Sequence, residues 1–180
     1  MIVFLLEERS MEALLDELLP RIIPGEDYRL IPHEGKQDLI KSIPHKLRAW
    51  NVPNSKFVIV HDQDSNDCLA LKSKILEICK TCQKDVLVRI PCHELEAWYF
   101  GDLQAVEKAY NINLKRLMRN KKYENPDAIV NPKTIIKQYV PGLTQIDGAR
   151  RIGKNMDIEN NKSYSFNVFV SGVRGIVGDA

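Results

Sequence analysis

Apolar residues recur along this chain in two rhythms. Short runs of strand-forming residues, Ile2–Glu7, Tyr28–Pro32, Lys56–His61 and Asp85–Ile90, read as β-strands, and the Pro24-Gly25 pair marks the turn before the second. Between them the apolar positions fall three and four apart, the spacing of a helix that buries one face. The first such segment opens at Ser10 as its capping residue and runs to about Leu19. The second spans about Lys36 to Trp50, with Leu39, Ile40, Ile43 and Leu47 on one stripe and Pro44 expected to kink or split it. The third spans about Ser65 to Lys80, with Leu69, Leu71, Ile75 and Ile78 expected inward. Strict alternation of strand and helix predicts an α/β fold: a mostly parallel four-stranded sheet, right-handed crossovers and helices on both faces.

After Pro91 the rhythm becomes helical only. Helices are expected over His93–Phe100, Leu103–Tyr110, a basic segment around Lys115–Lys121, and Lys133–Tyr139 after Pro132. The run from Ser163 resembles a strand in composition, yet Phe166, Phe169, Val170 and Val173 lie at helical spacing behind a capping serine, so a helix is predicted. Residues 120–132, residues 156–162 and the last few residues read as loosely ordered. The division that follows is a sheet domain over 1–101 and a helical C-terminal extension over 102–180, packed on the same domain.

At 180 residues and 44% hydrophobic content, the chain has ample material for a core that folds alone. Glu7 and Glu8 interrupt the apolar start far short of a membrane span, and no basic segment precedes it, so no membrane partner and a cytoplasmic location are expected. Four cysteines do not make a disulfide scaffold and agree with a reducing compartment. Cys79-Lys-Thr-Cys82 with Cys92-His93 lacks the four well-spaced ligands of a structural zinc site and reads as ordinary thiols. The net charge of +2 hides an asymmetry: 13 Lys+Arg against 16 Asp+Glu in residues 1–100, and 13 against 8 in residues 101–180. In the basic half, Lys115, Arg116, Arg119, Lys121 and Lys122 form a cluster that a phosphate backbone would attract, or a solvated helix face.

The third strand ends in His61-Asp62-Gln63-Asp64. Carboxyl ends of parallel strands face the crevice where such sheets bind ligands, and in extended backbone residues two apart point the same way. Asp62 and Asp64 can then converge on one hard cation, with Mg2+ (or Mn2+) the natural choice for oxygen ligands. The first strand ends in Glu7-Glu8, so the two ends together would make one acidic pocket. Glu94 and Glu96 follow the fourth strand; on a helix they splay by roughly 200°, so only one can face the pocket, and Glu94 is the expected one. His33 and Lys36, after the second strand, stand where a phosphate would approach or serve the turn.

This set of strand ends resembles the TOPRIM domain of topoisomerases, primases, recombination proteins and overcoming-lysogenization-defect nucleases, over roughly residues 1–100. That resemblance implies a Rossmann-like sheet with a glutamate after the first strand, here Glu7 or Glu8, and Asp-X-Asp after the third, here Asp62 and Asp64. Neither glutamate is followed by the glycine that many TOPRIM sequences carry. Glu12, four residues beyond Glu8, stands where some nuclease members place a further metal ligand. Over almost the whole chain, Leu-Leu-Glu-Glu-Arg-Ser-Met, His33-Glu-Gly-Lys36-Gln-Asp38-Leu, His61-Asp-Gln-Asp-Ser, Glu94-Leu-Glu-Ala-Trp-Tyr-Phe-Gly-Asp102 and Gly148-Ala-Arg-Arg resemble the domain-of-unknown-function 4276 family. That family is grouped with TOPRIM-like proteins, and the resemblance implies an AAA-type or SMC-like ATPase partner in bacterial defence.

The expectation is a metal-dependent nuclease that hydrolyses phosphodiester bonds in DNA or RNA. Glu7, Glu8, Asp62, Asp64 and Glu94 carry the chemistry, and Glu7, Glu8, Glu12, Asp62 and Asp64 hold the metal. Lys36, Lys115, Arg116, Arg119, Arg150 and Arg151 bind the nucleic acid. The alternative is a non-catalytic effector or interaction subunit of an ATPase complex. No G-x-x-x-x-G-K loop is present, so the chain is not expected to hydrolyse ATP by that route. A receiver-like phosphoacceptor would need a lysine at the end of its last strand, where Arg89-Ile90-Pro91 stands.

Overall fold

The computed structural model describes residues 1–178. Four strands, β1 (Ile2–Leu6), β2 (Tyr28–Pro32), β3 (Lys56–Val60) and β4 (Val86–Arg89), form one sheet in the order β2-β1-β3-β4. Every pairing is parallel, with Ile2 opposite Tyr28 and Lys56, and Val60 opposite Arg89. The helices of the alternating half are α1 (Arg9–Ile22), α2 (Lys36–Ala49) and α3 (Cys68–Lys80). Then come α4 (Ala97–Gly101), α5 (Leu103–Tyr110), α6 (Lys115–Met118), α7 (Pro132–Tyr139), α8 (Gln145–Asn155) and α9 (Tyr164–Gly178).

Strand order and crossover hand together decide which helix covers which face. The chain steps one way from β1 to β2 and the opposite way from β2 to β3 and on to β4. Right-handed crossovers therefore put α1 on one face and both α2 and α3 on the other. Val3, Leu5, Phe57, Ile59 and Val88 point to the second face and meet Leu39, Ile43, Leu47, Leu71 and Ile75. Ile2, Phe4, Leu6, Val58 and Val60 point to the first, where α1 alone cannot cover the sheet. The C-terminal helices fill the remainder, and one continuous core runs from Ile2 through Trp98 and Phe100 to Val173. Trp98 packs against Phe166 and Phe169 with ring centroids 5.3 and 5.1 Å away. A boundary at 101/102 thus passes through the core.

Helix α8, absent from the periodicity reading, is the main partner of α1. Gly153 permits the approach: a Cβ there would lie 3.1 Å from both Glu17 Cβ and Leu14 Cδ1. Residues 120–132, expected to be loose, are pinned by Asp127. Its carboxylate accepts from Ser163 Oγ at 2.7 Å, Ser165 Oγ at 2.9 Å and the Ser165 amide at 2.8 Å. Ser163 Oγ in turn accepts from the Phe166 amide at 3.1 Å, the expected helix cap.

Several local expectations are corrected. Glu8, not Ser10, occupies the cap position of α1, and Ser10 Oγ donates to the Glu8 carboxylate from within the helix. Pro44 neither splits nor ends α2; the ring removes one amide donor, while the apolar stripe Leu39, Ile43 and Leu47 stays buried. Leu69 is 75% exposed because α3 begins only at Cys68, which turns its first residues away from the core. Residues 93–96 form turns rather than helix, with α4 starting at Ala97. Among the described residues no helix is long and apolar enough to cross a membrane, and the four cysteines are free thiols.

Candidate metal and phosphate site at the strand ends

The carboxyl ends of β1 and β3 lie side by side because the two strands pair in register, Leu6 beside Val60. The Glu7 amide continues that ladder by donating to the Val60 carbonyl at 3.2 Å. Glu7 then turns its carboxylate across the gap, where Oε2 accepts from the Asp62 amide at 2.9 Å. His61 Nδ1 stands 3.2 Å from the same oxygen and 2.6 Å from the Asp62 carbonyl, so it carries the proton shared between two acceptors. Glu7 thereby fixes the loop that presents Asp62.

Asp62 is 8% exposed, and its Oδ1 has no hydrogen-bond partner. Burial pushes its carboxyl well above the usual carboxylate range, and the negative charges of Glu7, Glu96, Glu8 and Asp64 push it further. Burial also raises Glu7, against the opposing pull of His61 and the Asp62 amide. Glu96, 6% exposed, is pushed up to about 7 by burial, with Lys133 opposing and Glu94 and Glu8 adding to the shift. Tyr99 stands beside these acids: burial raises its hydroxyl, and Glu96, Glu8 and Asp62 add to the effect.

Asp64 reaches the group by a route other than strand alternation. Strand β3 stops at Val60, and Asp64 adopts a left-handed backbone (φ 52°), a conformation that aspartate tolerates, with its amide donating to the His93 carbonyl at 2.7 Å. Its side chain lies at the rim, where Lys36 Nζ sits 2.9 Å from Oδ2. Glu8 is also a rim residue: one oxygen accepts from Ser10 and the other from Gln145 Nε2 at 2.6 Å.

Residues 93–96 are turns, so the helical splay does not apply; Glu96 is the more buried of the two and acts on Asp62. Glu94 instead accepts from the Lys133 amide at 3.0 Å, serving the N-terminal turn of α7. The Lys133 side chain folds back so that Nζ lies 4.0 Å from Glu96 Oε1. Glu12, one turn along α1 from Glu8, lines a separate cleft with Arg9, Asp16, Arg29 and Arg150. His33 is buried, with Nδ1 2.8 Å from the Leu6 carbonyl, a turn role. Lys115, Arg116 and Arg119 are exposed on and just after α6, away from the acid group's contacts. Arg151 pairs with Asp147 at 2.7 Å and lies over the Tyr110 ring. Glu96 has a sequence signal, its place just after the fourth strand; Lys133 and Gln145 have none, since only the packing of α7 and α8 brings them to the strand ends.

Among the described residues no three His, Cys, Asp or Glu side chains close on a common point as a finished metal site. The donor set nevertheless fits a hard cation: all-oxygen side chains, a buried Asp62 whose proton affinity is raised by burial and by its acidic neighbours, and an oxygen of that carboxylate without a partner. An unpaired buried carboxylate costs several kcal/mol, which a bound cation would offset.

The family described as "Domain of unknown function (DUF4276)" has a model that matches residues 6–174, nearly the whole chain. No curated protein and no solved structure matches it.

Proposed function

We propose, from the premise that this chain belongs to the DUF4276 family, that it is a TOPRIM-like, Mg2+- or Mn2+-dependent nuclease acting on phosphodiester bonds in DNA or RNA. The partner in this reading is an ATPase of a bacterial defence system. The observation that carries it is Asp62: a buried carboxylate with an unpartnered oxygen, at the crevice end of a parallel sheet, ringed by four further acids.

Asp62, Asp64 and Glu7 or Glu8 would hold the ion, which when bound neutralises charge at the scissile phosphate and supplies a water of lowered pKa. Glu7 keeps the Asp62 loop in place through the Asp62 amide, with His61 fixing the orientation of the Glu7 carboxylate. Lys36 and Lys133 approach the acids from α2 and α7, and each can turn its ammonium group to a phosphate oxygen. Gln145 steadies Glu8 at the rim.

One observation favours the rival, a non-catalytic subunit of an ATPase complex. The rim acids already have partners, Lys36 for Asp64, and Ser10 and Gln145 for Glu8, so the site can stand without a substrate. Incubation of plasmid, linear and single-stranded DNA and RNA with the purified protein and Mg2+ or Mn2+ separates the two. Cleavage that disappears in the Asp62→Ala, Asp64→Ala double variant supports the nuclease. Intact substrates, with and without an ATPase partner, support the subunit.

A further inference from the structure

A hollow of about 310 Å³ lies between α2 and α3, on the side of the sheet away from α1. Lys36 and Ile40 fall four apart on α2, with Lys41 next to Ile40, and Leu71 and Lys74 fall three apart on α3, so each helix turns one face to it. Ile40 and Leu71 pack on the core beneath and form an apolar floor. The ladder of β3 is carried one residue past Val60 by the His61 amide, which donates to the Arg89 carbonyl at 3.2 Å. Alternation then sends the His61 ring to the face of Phe57 and Ile59, where it forms the inner wall of the hollow.

Three lysines line this hollow and, among the described residues, no carboxylate does. They gather there although acids outnumber bases, 16 to 13, in residues 1–100. Lys36 is shared with the acid group through Asp64, 2.9 Å from its Nζ. Lys41 and Lys74 are exposed and have no ion-pair partner among the described residues. Like charges around one hollow repel, and an anion seated among them removes that repulsion. An ammonium group meets phosphate oxygens as a point charge, without the planar fit that a guanidinium requires. The hollow also shares two residues with the acid group: Lys36, and His61, whose Nδ1 lies 3.2 Å from Glu7 Oε2. An anion in the hollow is therefore a neighbour of whatever lies over the acids.

We infer that the hollow between α2 and α3 seats a phosphate group of a nucleic-acid strand whose scissile bond lies over the acid group, with Lys41 and Lys74 as its own contacts and Lys36 common to both places. The inference rests on the nuclease reading for its purpose but not for its measurement, because binding is read without cleavage.

The experiment is fluorescence anisotropy with labelled single- and double-stranded oligonucleotides in EDTA, over about 50–200 mM salt. Lys41 and Lys74 are exposed, so a Lys41→Ala, Lys74→Ala variant should fold, which its thermal unfolding checks. Its binding should weaken by about tenfold, and the slope of log affinity against log salt should fall by about one per lost contact. The control is Arg48→Ala, Lys80→Ala, which removes the same charge from the far ends of the same two helices and should change little. Equal affinity and slope for the Lys41/Lys74 variant and the parent overturn the seat, as does an equal loss in the control or a parent that binds no oligonucleotide. Strands with and without a terminal phosphate identify which phosphate is held: a loss for both supports a backbone phosphate, and a loss confined to the phosphorylated strand supports its end. ATP is the competing probe: ATP binding that depends on Lys41 and Lys74, with oligonucleotide binding unchanged, overturns the nucleic-acid source in favour of a free nucleotide. Weakened binding in a protein that never cleaves keeps the seat and removes the nuclease; cleavage by the variant with unchanged binding does the reverse.

Discussion

The acids at the strand ends fall into two sets. Asp62 and Glu96 are inner: buried, with their proton affinity raised mainly by burial, and in Asp62 an oxygen without a partner. Asp64 and Glu8 are rim residues: half-buried, and each answered by a neighbouring donor, Lys36 or Gln145. The inner set destabilises the protein wherever it is ionised and unpaired, whereas the rim set is balanced at little cost. A site that keeps an unpartnered carboxyl oxygen in its interior and paired carboxylates at its mouth is arranged for a cation to complete it from outside.

The largest effect that would sharpen this contrast is on cleavage. Asp62→Asn keeps the shape but removes the carboxylate that a cation would draw, and should lower the cleavage rate by about 10²–10³-fold, the scale of losing one electrostatic group at a reacting centre. Plasmid nicking under Mg2+ measures it, and a rate within a few-fold of the parent would break the assignment.

Next in size is pH. Glu96 is raised from 4.5 to about 7, so between those values the folded state retains a proton that the unfolded chain has released. Its contribution is full below about pH 4.5 and is lost as pH rises through 7, by about 3 kcal/mol at most. Metal-free protein should therefore be more stable to urea at pH 5 than at pH 8, and Glu96→Gln should flatten the difference. An unchanged pH dependence in that variant would move the effect to other groups.

Mg2+ should then raise the unfolding temperature at pH 8, through about 2.7 kcal/mol at a hundredfold excess over its dissociation constant. The same addition to Asp62→Asn should give little or no gain. Equal shifts in both proteins would place the ion elsewhere. The smallest effect belongs to the rim: the Lys36 and Asp64 side chains are 56% and 33% exposed, so Lys36→Ala should cost under about 1 kcal/mol. A larger loss in calorimetry would erase the distinction between rim and interior.

Much of the sheet half was legible because its information is local. Phe57-Val-Ile-Val has no solvent-facing position, as a strand covered on both faces requires, and the βαβ order allows few topologies. Helix α8 was missed because Gly148 and Gly153 interrupt its apolar stripe, and Gly153 is what α1 needs for close approach. A helical splay of Glu94 and Glu96 was expected, but the segment is turns, and Glu94 is taken up by the Lys133 amide, 39 residues away in sequence. Asp62 and Asp64 were found together for a reason that proved local to neither: the strand ends before them, and a left-handed residue restores the neighbourhood.

The shared core has a consequence in time. Val58 and Val60 of β3 share their core with Trp98, Phe166 and Phe169, and the last two emerge about a hundred residues after Val60 during synthesis. At about 5–20 residues per second, that core stays incomplete for on the order of ten seconds, long enough for a chaperone to meet the nascent chain before α9 does.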